Sequence, residues 1–396
     1  MENIYNPTPE HKALREMVRQ FAEREVEPQA AENDRTETFN IGLFRQLGSL
    51  GLLGITVPEK FGGSGMDAAA AVIVHEELSA VDPGFTLAYL AHSMLFVNNL
   101  AQNGSEAQCQ KYLPGASTGE LIGGMCMSEP AVGTDVLGMQ TMAKRDGDSY
   151  VINGAKMWIT NGAVNDTDLG DIFLVYARTG ESKKTASLFL VEKGTPGFSL
   201  GQKIHDKLGM RASTTAELVF EDCRIPAENL VGSEGDAVKH MMRNLEIERL
   251  TLAAMSLGIA RRSIEIMNRY ANERHAFGKP LREFGQIQRH IGESFSDYQA
   301  GRAYVYDLCS RLDLHSQEGS RVDSDATKLY CATMAKNVAD RAMQVMGGYG
   351  YVEEYNVERL WRDAKLIEIG GGTLESHHKN IANDLCKKGF DAVCPE

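Results

Sequence analysis

Apolar residues recur three and four positions apart in HKALREMVRQFAEREV (11–26), AAAAVIVHEELSAV (68–81) and FTLAYLAHSMLFVNNLAQ (85–102). That period lines one face of a helix, so the spacing predicts helices from Pro9 to about Glu120, parted by the breakers PEKFGGSG and DPG. From about Leu121 to Gly235 the texture changes to short β-rich runs: SYVING, KMWIT, DIFLVYAR, ASLFLVEK, GFSL and AELVFED. Gly, Asn and Asp turns space them as in a small barrel or sandwich. After Gly235 the helical period returns in three longer stretches, 237–274, 284–315 and 323–347, followed by a short helix beyond a triple glycine. The expectation is an α+β plan: an N-terminal helical domain (1–120), a middle β-barrel or sandwich domain (121–235) and a C-terminal four-helix-type bundle (236–396).

Composition excludes several classes. A chain of 396 residues, 43% hydrophobic and 24% charged, has the balance of a globular protein and room for two or three domains. Its net charge of −13 argues against nucleic acid or an anionic membrane as main partner. Seven cysteines without a CxxC pair give no disulfide framework or zinc knuckle and fit a reducing compartment. The start carries no signal core or transit peptide and no apolar run is long enough for a span, so the chain reads as cytoplasmic, or as a matured matrix protein. No GxGxxG follows a strand and no GxxxxGK[ST] occurs, which leaves Rossmann and P-loop sites unsupported.

Several stretches can carry chemistry. In MSEPAVGTD (127–135), Ser128 and Thr134 offer hydroxyls among small residues that let backbone N–H groups face an acceptor; an ordinary turn reads the same way. In KMWITNG, strand alternation puts Trp158 and Thr160 on one face, where a lone Trp is more often core. RHAFGKP sets Arg274 and Phe277 at helical spacing before a Gly-x-Pro stop, presenting a cation and an aromatic together at a helix end. In NLEIERLTLAA, Glu248 has Leu245, Thr251, Leu252 and Met255 three, four or seven residues away, an unusual setting for a carboxylate that is normally a solvated surface charge. Gly370, Gly371 and Gly372 close a helical, charge-rich region, which implies a close approach to that backbone or a conformation that side chains forbid.

MSEPAVGTD, GAKMWITNG, RHAFGKP and QVMGGYGYVEEYNVERLWRDAKLIEIGGGT (344–373), in that order and across nearly the whole chain, resemble the acyl-CoA dehydrogenase family, and within it the isovaleryl-CoA dehydrogenases. The resemblance implies FAD. It implies that Met127, Ser128 and Thr134 meet the flavin, that Trp158 packs beside its ring, and that Thr160 contacts it. Arg274 and Phe277 would reach the FAD of a neighbouring subunit, with Gln288, Gln344, Gly347 and Gly348 on the same dinucleotide, in a homotetramer built as a dimer of dimers. Phe284-Gly285 departs from the family's usual Phe-Gln, which puts one adenosine-end hydrogen bond in doubt.

In many members a Glu stands where this chain has Gly371. Isovaleryl-type and long-chain enzymes carry their base at the position of Glu248, and partial desolvation would lift its pKa toward a working range. The resemblance leaves the Gly371 N–H as an oxyanion donor, joined by a ribityl hydroxyl of FAD. It gives Glu246, Arg249 and Leu252 to acyl-CoA, with Gly370 and Gly372 leaving room for a branch, and sets Thr373 and Glu375 at the flavin side. His377-His378, where related enzymes have paired arginines, reads as two exposed histidines. The implied reaction is α,β-dehydrogenation of a short branched acyl-CoA, isovaleryl-CoA to 3-methylcrotonyl-CoA, with electrons passed to an electron-transferring flavoprotein. Rivals are a dehydrogenase of longer-chain or terpenoid acyl-CoA, an acyl-CoA oxidase or flavin monooxygenase on the same fold, and a non-catalytic flavin or acyl-CoA binding protein.

Overall fold

The computed structural model describes residues 3–182, 185–314 and 321–393, so Cys394 lies outside it. The first helices are α1 (Pro9–Phe21), α2 (Glu27–Thr36), α3 (Ile41–Ser49), α4 (Ala68–Ser79), α5 (Pro83–Leu90), α6 (Asn99–Asn103) and α7 (Glu106–Thr118). Side-chain caps start several of them: Asn40, Asp67 and Asp82 accept from backbone N–H groups three residues on, and Ser105 with Gln108 closes a capping box. Between α5 and α6, residues Ala91–Asn98 form a π-helical turn, a wide coil found disproportionately at functional sites.

Every residue of α4 is buried, Glu76 and Glu77 included. Their charges are met by Arg15 of α1 at 2.9 and 2.5 Å and by Arg261 at 2.8 Å from Glu77. Paired in this way, the ions tie the first helices to the C-terminal ones; removing one partner would strand a buried charge.

The middle layer is β1 (Gly123–Cys126), β2 (Met142–Asp146), β3 (Ser149–Thr160), β4 (Ile172–Arg178), β5 (Ala186–Glu192), β6 (Phe198–Lys203), β7 (Thr215–Pro226) and β8 (Leu230–Val231). They make one sheet in the order β6-β7-β3-β2-β4-β5-β8, with β1 parallel to β4. Strands β4 and β5 are buried along almost their whole length, which explains their unbroken apolar runs. The joint with the helices is made by buried His92, whose Nδ1 accepts from the Gly123 N–H and whose Nε2 donates to the Ala116 carbonyl, each at 2.9 Å.

Next come α8 (Ala237–Glu273), β9 (His275–Ala276), β10 (Lys279–Pro280), α9 (Gly285–Arg311), α10 (Arg321–Met346), α11 (Val357–Ile367), α12 (Leu374–Lys388) and α13 (Phe390–Val393). Helix α8, 37 residues long, packs against α4, α9 and α10 and forms the spine of the molecule. No helix among the described residues is long and apolar enough to cross a membrane.

Two local expectations are corrected. RHAFGKP does not carry Arg274 and Phe277 at helical spacing: the helix stops at Glu273, and residues 275–280 form a tiny hairpin. Its tip is Phe277-Gly278, with φ of +49° and +81°, the left-handed pair that a two-residue turn needs to match strand twist. In β3 the simple alternation fails at a bulge between Lys156 and Ile159, where Trp158 takes φ +66°; the extra residue turns its indole outward.

Candidate active site

Glu248 lies about a third of the way along α8, with only 7% of its surface exposed. Thr251, Leu252 and Met255 around it are buried, as the helical spacing predicts. Burial pushes the carboxyl up to about 7, against the pull of the Arg249 and Lys328 cations. Its Oε2 has no hydrogen-bond partner among the described residues, so a buried acceptor is left facing a site.

That site is the glycine loop. Gly371 has φ +66° and Gly372 φ +99°, conformations that favour residues without a Cβ. A Cβ at Gly371 would collide with Leu252 Cδ1 and lie 3.5 Å from Glu248 Oε1; one at Gly372 would lie 3.0 Å from the His377 ring. The loop backbone is therefore pressed between α8 and α12, with the Glu248 carboxylate beside Gly371. At Gly370 a Cβ would meet nothing closer than the Leu366 carbonyl at 3.5 Å, so space remains on that side, but the expected room at Gly372 is corrected, because the His377 ring and Ser376 Oγ fill it.

Charged groups missed in the sequence surround this pair. Lys328 of α10 is fully buried and donates to the Gly372 carbonyl at 2.6 Å. Asp325, one turn earlier, pairs with Arg249 at 3.0 Å and hydrogen-bonds His377 Nδ1 at 2.5 Å. The expectation of two exposed histidines is thus corrected: His377 is buried against Asp325, and only His378 is exposed. Arg249 is buried beside Asp325, but its Nε and Nη1 have no hydrogen-bond partner among the described residues, and Glu246 is buried as well. The helical stripe of α10 contained a signal, because Ser324, Lys328, Cys331, Ala335, Val338 and Ala342 recur at spacings of three and four.

A second group of residues meets on the middle sheet. Met157 N donates to the Ser128 carbonyl at 2.9 Å. Buried Lys156 donates to the Met127 carbonyl at 3.1 Å and to Glu129 at 2.8 Å, while Glu129 accepts from the N–H groups of Gln140 and Thr141. Burial alone would raise the Glu129 carboxyl, but Lys156 and these donors hold it below its usual value. The loop bearing Ser128 and the exposed Thr134 is thereby fixed beside Trp158, whose indole is 61% exposed. Thr160, two residues on, is half-buried.

The third group is on the C-terminal helices. The Arg274 guanidinium lies 5.6 Å from the Tyr349 ring centre, next to Gly347 and Gly348, where an added Cβ would meet nothing within 4 Å. Gln344 is exposed, and Gln288 donates to the Arg282 carbonyl at 3.1 Å. Phe277 is 97% exposed at its hairpin tip. Thr373 caps α12, and Glu375 is exposed in its first turn. An open indole beside hydroxyls and backbone N–H groups, with a separate cation beside open glycines, fits a planar aromatic cofactor with an anionic linker.

Known proteins resemble this chain along most of its length. Family models match end to end: acyl-CoA dehydrogenase, N-terminal domain, over 8–120, middle domain over 124–223 and C-terminal domain over 236–386. The chain is 41% identical to the mitochondrial isovaleryl-CoA dehydrogenase of Solanum tuberosum, covering 95% of this chain and 90% of that one. It is also 41% identical to the short-chain-specific acyl-CoA dehydrogenase of Clostridium acetobutylicum, over 94% and 96%. Among solved structures, butyryl-CoA dehydrogenase from Megasphaera elsdenii superposes with a TM-score of 0.91 at 35% identity, covering 96% of this chain and 99% of that one. With all three domains matched in order, this chain belongs to the acyl-CoA dehydrogenase family of flavin-dependent oxidoreductases and is an enzyme of that class.

Proposed function

We propose that the enzyme dehydrogenates a short branched acyl-CoA, with isovaleryl-CoA the best fit, and that Glu248 is its general base. The observation that carries this reading is the buried Glu248 carboxylate, with one oxygen unpartnered, lying against Gly371. A base with a pKa near the working pH is both ionised often enough and basic enough to take an α-proton. The Gly371 N–H is the candidate donor to the thioester oxygen, where charge develops as that proton leaves. FAD is the flavin that the Ser128, Thr134 and Trp158 surface suits; when bound it supplies the acceptor for the hydride leaving the β-carbon. The 97% exposed Phe277 beside Arg274 supports a hairpin that meets a second chain, as in a homotetramer. An electron-transferring flavoprotein is the expected redox partner. The six described cysteines are all unpaired, which suits a cytoplasmic or matrix compartment.

The branched preference rests on room at the glycine loop. Gly370 leaves space for a 3-methyl group, while of the bulky residues 87–96 that would limit the far end of the pocket Leu90, Met94 and Phe96 are buried and Leu87 is half-buried. Phe96 packs against Gly123, so it bounds the fold there. A pocket separates substrates differing by a methylene only about 10- to 200-fold, so graded preference is expected. The test is kcat/KM for isovaleryl-, butanoyl-, octanoyl- and palmitoyl-CoA with one electron acceptor. A maximum on octanoyl- or palmitoyl-CoA would move the assignment to long-chain substrates and leave the dehydrogenation in place.

A further inference from the structure

The glycine loop has to hold a peptide N–H still while lacking every side chain that could anchor it. Ile369 N and Gly370 N both donate to the Leu366 carbonyl, at 2.8 and 2.7 Å, and Leu374 N returns to the Glu368 carbonyl at 3.3 Å. Between these ties, Gly371 and Gly372 sit in conformations open to glycine, whose backbone has the most freedom to lose. The clamp at this point comes from another helix: Lys328 Nζ on the Gly372 carbonyl at 2.6 Å.

We propose that Lys328 is a positioning residue for the reaction: it fixes the Gly372 carbonyl on one side of the loop, as the Leu366 carbonyl holds the other, so that the Gly371 N–H between them stays aimed at the substrate oxygen, and its cation supports ionised Glu248. The proposal rests on the reading of Glu248 and Gly371 given above. A fully buried ammonium is costly to keep, and a packed apolar residue would fill this stripe of α10 more cheaply. Burial lowers the Lys328 ammonium to about 8, with Glu248, Asp325 and Glu368 holding it up and Arg249 opposing them. His377 of α12 completes the surroundings, hydrogen-bonded to Asp325. Lys328 therefore faces charge from α8, from its own helix and from the end of α11, and from α12 the His377 imidazole, which burial pushes toward its neutral form.

Acetoacetyl-CoA separates positioning from plain support of the fold. Its α-proton is acidic enough to leave without any oxidation, and the enolate is read by its own ultraviolet absorbance. In the wild-type holoenzyme the pH midpoint for forming bound enolate should lie well below that of free acetoacetyl-CoA. Lys328→Met should raise that midpoint by about one unit, since one cation and one aligned donor are lost. It should also lower kcat on the best acyl-CoA about 10- to 100-fold with KM changed less than about threefold, the pattern of an interaction made in the transition state. Lys328→Arg, which keeps the charge, should recover most of the midpoint shift. If Lys328→Met does not fold, Lys328→Gln is read instead, and it should shift the midpoint in the same direction. An unchanged midpoint in the foldable neutral variant, with the wild type still ionising the ligand, overturns the role of Lys328 alone. A wild type that does not ionise acetoacetyl-CoA overturns the Glu248–Gly371 reading, and this proposal with it.

Discussion

Glu248→Gln should bind acyl-CoA yet lose flavin reduction by at least about a hundredfold, a usual minimum for a removed general base. The measurement is anaerobic mixing with the best acyl-CoA, followed at the flavin absorbance band; near wild-type reduction would place the base elsewhere. In the wild type, activity should rise with pH through about 7 and level off above it, because only the ionised carboxylate accepts the proton. The Gln variant should be flat across that range. Stability should move the other way. Folding raises this carboxyl from 4.5 to about 7, so the folded state holds the proton more tightly, and stability present below pH 4.5 is lost as pH rises to about 7. Glu248→Gln, which never ionises, should therefore gain on the order of 1–3 kcal/mol and a higher Tm at pH 8, with little gain at pH 4.5. A carboxylate kept only for structure would give a less stable variant at pH 8.

Gly371→Ala is expected to cost about 10- to 100-fold in kcat with the flavin still bound. Two causes add: a side chain at φ +66° is strained, and its Cβ would collide with Leu252 Cδ1. Relief requires the loop to shift, which moves the N–H that faces the substrate, and losing one such donor costs about 10²- to 10³-fold. Leu252→Ala in the same chain should restore part of the loss by opening the space, a coupling that a double-mutant cycle reads directly. Additive losses in the pair would mean that the collision is not what disables Gly371→Ala.

The three-layer order of helix, sheet and helix was legible because the period of three to four stops in the middle of the chain, where short β-rich runs between Gly, Asn and Asp turns replace it. The environment of Glu248 was legible for the same reason: its neighbours on α8 are set by helix geometry alone. What was not legible came from contacts between distant segments. His377 reads as a surface residue beside His378 until Asp325, 52 residues earlier, is folded against it. Trp158 escapes strand alternation because β3 pairs with β7 through a bulge, which only the partner strand defines. Arg274 and Phe277 mimic a helical pair, but the positive φ preferences of a two-residue hairpin override that spacing. Lys328 could have been found, as the one cation on an apolar stripe.

His92 makes the joint between the first helices and the sheet sensitive to acid. Burial lowers this imidazole to about 4, against an ordinary 6.5, so its stabilising contribution is present above pH 6.5 and is lost as pH falls through about 4. The chemistry at the ring explains the direction: Nδ1 accepts from the Gly123 N–H, and a proton arriving there would set donor against donor in a buried contact. Gly123 opens the first strand of the sheet, while His92 belongs to the π-helical turn that precedes it. Acid reaching His92 would thus loosen the seam between the first helices and the sheet, as it would loosen α4 itself at buried His75, whose imidazole is also lowered to about 4, and at the seam the latch is a single proton.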